Sequence, residues 1–95
     1  MKLRFEWDEN KNKANIRKHG IPFNEAMTVF SDENAVVIAD TDHAEQEERF
    51  IILGLSQNMR LLVVCHCYRQ SDAVIRIISA RKANKAEAEH YGGAI

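Results

Sequence analysis

No stretch of the sequence approaches the ~20 consecutive apolar residues that a membrane-crossing helix needs. One proline and four glycines supply no linker or low-complexity segment, and no internal repeat is present, so a single domain over residues 1–95 is expected. The opening Met1-Lys2-Leu3-Arg4-Phe5-Glu6-Trp7-Asp8 is charged from its second residue. It lacks the apolar stretch and small-residue cleavage site of a secretory leader, and a cytoplasmic location is the expectation. Cysteine is scarce. Cys65 and Cys67 share one face of a strand-like run, where a mutual disulfide would be strained, so reduced thiols are expected. Cys65-His66-Cys67 offers metal-ligand types, but adjacent strand residues face opposite ways. No CxxC pair, HExxH helix, glycine-rich phosphate loop or GxSxG elbow is present. Neither a metal nor another cofactor is expected.

What remains is ordinary globular material, 45% hydrophobic and 28% charged, long enough for one modest core. A net charge of −1 argues against a generally basic nucleic-acid binder, but the charge is unevenly spread. Residues 1–59 carry a net −4, residues 60–85 a net +5 and residues 86–95 a net −2. The basic stretch holds Arg60, Arg69, Arg76, Arg81, Lys82 and Lys85 against Asp72 alone. It suits a polyanion over a short span, or simply a solvated charged surface.

Leu3–Trp7 alternates as a short strand. Asp8 reads as an N-cap with Glu9 in the first turn, and the helix stops at His19-Gly20 with Pro22 just beyond. Its apolar face, Ala14 and Ile16, is thin. Phe23, Ala26, Met27 and Phe30 give a second, core-facing helix. Ala35–Ala39 is a short strand, followed by an acidic hairpin loop from Asp40 to Glu47. Strands Arg49–Leu55, Arg60–Tyr68 and Val74–Ala80 follow with short connections, Ser56-Gln57-Asn58-Met59 and Gln70-Ser71-Asp72, that suit an antiparallel meander. A last helix is expected over Lys82–Tyr91, ended by Gly92-Gly93. The order β-α-α-β-β-β-β-α predicts an α+β fold: a twisted antiparallel sheet with two N-terminal helices and a C-terminal helix packed on it.

Strand parity distributes the polar groups. Val63, Cys65, Cys67 and Arg69 share one face, with Leu62, Val64, His66 and Tyr68 on the other. Simple alternation puts Ile75 and Ile77 opposite Val74, Arg76 and Ile78, and gives Arg76 and Arg81 opposite parity. Arg81 falls where strand is expected to give way to helix.

The segments Phe5-Glu6-Trp7-Asp8-Glu9, Asn15-Ile16-Arg17-Lys18-His19-Gly20-Ile21, Phe23 through Phe30, Glu48-Arg49-Phe50 and Ile75-Arg76-Ile77-Ile78-Ser79-Ala80-Arg81-Lys82-Ala83, with Glu87 and Tyr91 after them, resemble the BrnT family of toxins in order and over nearly the whole chain. That resemblance implies a RelE-like fold, ribonuclease activity that inhibits translation, and neutralisation by a small BrnA-like antitoxin in a hetero-oligomer. Promoter DNA would be bound only through the antitoxin complex.

RNA carries its own nucleophile, the 2′-hydroxyl. A metal-independent ribonuclease deprotonates it, stabilises the crowded phosphorus and protonates the leaving 5′-oxygen. A guanidinium suits the phosphate because it stays charged and donates two parallel hydrogen bonds. Arg76 and Arg81 are the first candidates, with Arg49 and Arg69 second, and Lys18 and Lys82 as further RNA contacts. His19, His66 and Tyr91 are candidates for acid–base work, His19 and Tyr91 foremost. Each has a plainer use: surface ion pairs for the arginines, a favourable helix C-terminus for Lys18 and His19, a core position for His66, an anchor for Tyr91. The competing readings are a non-catalytic protein-interaction module and, less supported because no helix-turn-helix is evident, a DNA binder.

Overall fold

A computed structural model describes residues 3–40, 48–71 and 73–92. Most of the acidic 40–47 connection, Asp72 of the second turn and Gly93 lie outside the described residues. Five strands form one sheet in the order β1-β5-β4-β3-β2: β1 Arg4–Glu6, β2 Val36–Asp40, β3 Arg49–Leu55, β4 Leu61–Arg69 and β5 Val74–Lys82. The last four make the expected antiparallel meander. The sheet is mixed rather than wholly antiparallel, because β1 lies parallel to β5, with Phe5 opposite Ile75. A three-residue strand takes its direction from the edge it joins, and nothing in its own sequence reveals that edge.

Helix α1, Glu9–His19, begins where the Asp8 carboxylate accepts from the N–H groups of Asn10 (2.8 Å) and Lys11 (3.4 Å). It ends at Gly20, whose φ of 73° lets its N–H reach the Ile16 carbonyl at 2.8 Å. Its thin apolar face is supplemented by a buried amide. Asn15 donates to the carbonyls of Ile21 and Ala80 at 2.8 Å each and accepts from the Ala80 N–H at 3.1 Å. Those Ala80 groups lie on the β5 edge beyond the reach of β1, whose pairing stops at Arg76.

The second helical segment is tighter than its 3.6-residue spacing predicts. Helix α2, Phe23–Ala26, passes into a 3-10 turn over Met27–Ser31. There the Thr28 hydroxyl donates to the Glu25 carbonyl at 2.6 Å and accepts from the Gln57 N–H at 2.9 Å. Ile21, Phe23, Ala26 and Val29 bury themselves against Ile52, Leu62, Val64, Ile77 and Ala80, so the core lies on one face of the sheet.

The C-terminal end also differs. Strand β5 continues through Arg81 and Lys82, opposite Val63 and Leu62, because β4 is there to pair with them. Helix α3 shrinks to Lys85–Ala88, started by a capping box in which Asn84 and Glu87 satisfy each other's N–H groups.

Candidate functional site

The sheet face away from α1 and α2 carries the four candidate arginines, and a β-bulge brings Arg76 and Arg81 onto it together. The β4–β5 register runs Cys65 opposite Ser79 but His66 opposite Ile77, leaving Ile78 as the extra residue. Parity in β5 therefore shifts by one. Arg76 stands opposite Cys67 and Arg81 opposite Val63, both on the Val63–Cys65–Cys67 face. The opposite parity expected for these two arginines is corrected by that single residue. Alternation along β4 brings Arg69 to the same face, and alternation along β3 from Ile51 and Leu53 brings Arg49 there. Lys82, opposite Leu62, points the other way.

Rows of register partners cross this outer face. One runs Val36, Leu53, Val63, Arg81; the next runs Ile38, Ile51, Cys65, Ser79. In these rows the β2–β3–β4 part is apolar, while the charge lies on β5 and β1 and, at one end of β3 and β4, on Arg49 and Arg69. Arg76 donates to the Glu6 carboxylate at 2.7 Å. Arg81 holds Glu87 with both prongs, Nη1 to Oε1 and Nη2 to Oε2, each at 2.7 Å. Beyond the family resemblance, the sequence signal for Glu87 is its place three residues after Asn84 in a capping-box pattern. The Arg81 hydrogen bonds hold the Glu87 carboxyl below the usual carboxylate range and raise the guanidinium above its own.

Helix α3 and the residues after it overhang the apolar half. Glu87 and His90 stand at the rim of a hollow of about 420 Å³ floored by Leu53, Val63 and Ile51. Tyr91 ties the segment down: its hydroxyl donates to Asp32 Oδ2 at 2.5 Å, and that carboxylate also accepts from the Leu55 and Asn34 N–H groups. Donation to Asp32 pushes the Tyr91 hydroxyl up to about 12. A phenol so held is a tether, and the structure gives Tyr91 that use.

His19 and Lys18 occupy the last turn of α1, and no hydrogen bond or ion pair among the described residues joins them to Arg76 or Arg81. His66 lies on the covered face, fully buried, with the rings of Phe30, Phe50 and Tyr68 around it. Burial lowers its pKa, and its Nδ1 lies 3.2 Å from the Val64 carbonyl. That is the core position.

A cluster without a sequence signal closes the β3–β4 turn. Glu25, buried beneath it, receives the Arg60 Nε at 2.9 Å, a second Arg60 nitrogen, and the Ser56 hydroxyl at 2.7 Å. The Arg60 hydrogen bonds take the Glu25 carboxyl down to about 2. Three cations of the basic stretch, Arg60, Arg76 and Arg81, thus face carboxylates from outside it. Among the described residues no three His, Cys, Asp or Glu side chains converge as a metal site. No described helix is long and apolar enough to cross a membrane.

With α1 and α2 on one face of a mixed sheet, and α3 and the guanidiniums on the other, the chain is a small α+β protein that presents cations from a sheet. The chain belongs to the BrnT family of ribonuclease toxins of type II toxin–antitoxin systems, whose family model matches residues 7–87. Its fold is similar to that of the Brucella abortus ribonuclease toxin BrnT, with a TM-score of 0.68 and 24% identity over 88% of this chain and 100% of that one. No curated protein matches the sequence.

Proposed function

We propose that the chain is a RelE-like, metal-independent endoribonuclease that cleaves RNA in the cytoplasm by attack of the RNA's own 2′-hydroxyl. A BrnA-like antitoxin silences it, and the resulting hetero-oligomer, rather than the toxin alone, engages promoter DNA. The observation that carries this reading is that Arg49, Arg69, Arg76 and Arg81 all lie on the sheet face away from α1 and α2. Arg81 and Arg76 take the scissile and a neighbouring phosphate; Arg69 and Arg49 hold the flanking chain. Each guanidinium matches a phosphate's paired oxygens and needs no proton exchange to do so. Preorganised donors of this kind contribute roughly 3–4 kcal/mol each to the transition state.

The purified chain is expected to cleave single-stranded RNA in excess EDTA. Activity that disappears on chelation and returns with a divalent ion would overturn the mechanism. An RNA left intact by folded protein under all conditions would favour an interaction module.

A further inference from the structure

We propose that Glu87 and His90 are the proton acceptor and proton donor of RNA cleavage, working on either side of the phosphate that Arg81 holds. The proposal rests on the ribonuclease reading and gives two residues a role in it. Three positions apart, the two side chains share one side of the C-terminal turn and the rim of one hollow. The hollow's floor is apolar, and Arg81 lies directly across from Val63 of that floor, both prongs on Glu87. An acid, a base and a two-pronged cation therefore meet at the edge of one apolar hollow, where preorganised donors can act on developing charge. The segment bearing them is pinned at both ends, by Arg81 on Glu87 and by Tyr91 on Asp32. The other acid–base candidates lie elsewhere: His66 is sealed in the core, Tyr91 is committed to Asp32, and His19 has no described bond to either arginine.

The resting pair explains how the base is stored. Glu87 is kept ionised by Arg81. An incoming phosphate oxygen takes one guanidinium prong and releases one carboxylate oxygen, whose affinity for a proton then rises. That oxygen accepts the 2′-hydroxyl proton as the 2′-oxygen–phosphorus bond forms. The bond from phosphorus to the 5′-oxygen breaks, and this oxygen takes the proton of the His90 imidazolium. The products are a 2′,3′-cyclic phosphate, a 5′-hydroxyl, protonated Glu87 and neutral His90; exchange with water resets both residues.

The test is single-turnover cleavage by Glu87→Gln and His90→Asn on ordinary RNA and on RNA whose leaving 5′-oxygen, at the cut mapped with wild type, is replaced by sulfur. Glutamine also completes a capping box, so Glu87→Gln is expected to fold, as thermal unfolding will register. Both variants are expected to cleave ordinary RNA 10²–10⁴-fold more slowly. A thiolate leaves without a proton, so sulfur is expected to restore His90→Asn to near the wild-type rate and to leave Glu87→Gln slow. Glu87→Asp, which keeps the carboxylate, is expected to cleave faster than Glu87→Gln. Wild-type cleavage of ordinary RNA by either variant, or failure of sulfur to rescue His90→Asn, would overturn the proposal while leaving the ribonuclease reading standing. An inactive wild-type chain would overturn that reading itself.

Discussion

Arg81 is held by Glu87 at the surface, and its side chain is 42% exposed. An ion pair so exposed contributes little to stability, so Arg81→Ala is expected to cost under about 1 kcal/mol in thermal unfolding. The same change removes the two-pronged phosphate contact and is expected to slow single-turnover RNA cleavage on the order of 10²-fold or more. Lysine restores the charge but not the fork, so Arg81→Lys is expected to remain well below wild type. Cleavage at the wild-type rate by Arg81→Ala would remove Arg81 from the site, and an unfolded variant would make it a structural residue. The candidates were legible in the sequence as residue types; their company was not. Nothing local to Arg81 says that a bulge at Ile78 turns it toward Arg76, because the bulge exists only once β4 is paired alongside.

Elements whose ends are written in neighbouring residues were readable. The Asp8 cap and the Gly20 stop rest on contacts within a few positions, and the apolar run inside Arg49–Leu55 marks that strand on its own. Features that depend on distant partners were not. The parallel pairing of β1, the extension of β5 and the Asn15 clamp on Ala80 join residues far apart in the chain. Glu25 and Arg60 are of the same kind, fixing α2 to the β3–β4 turn. Truncating Glu25 to alanine leaves the Arg60 guanidinium and the Ser56 hydroxyl without their acceptor. A loss of about 3 kcal/mol is expected, near the low end for a broken buried pair because Arg60 is partly solvated. Calorimetry or denaturant titration checks it, and a change within 0.5 kcal/mol, the range of an ordinary surface substitution, would contradict the account.

For the whole molecule, stability should fall on the acid side in two stages. His66 is neutral in the fold, with a pKa lowered from 6.5 by burial, so the unfolded chain binds its proton first and stability declines as pH drops through 6.5. Glu25 follows: its folded pKa of about 2 against 4.5 makes a contribution that is full above 4.5 and lost as pH falls toward 2. Unfolding free energy measured from pH 8 to 3 is expected to show both declines, with Glu25→Gln shrinking the lower one and leaving the part due to Glu87 and Asp32, whose carboxyls are also held below their usual values. Function at this scale turns on which oxygen attacks phosphorus. The most direct measurement compares, in excess EDTA, cleavage of an RNA oligonucleotide with cleavage of the same molecule 2′-O-methylated at the cut, reading product ends by mass spectrometry. The account predicts 2′,3′-cyclic phosphate and 5′-hydroxyl ends from the first and no cut at the modified position in the second. Cleavage at the methylated position, or ends carrying a 5′-phosphate and a 3′-hydroxyl, would show that water and not the 2′-hydroxyl attacks, and would contradict it.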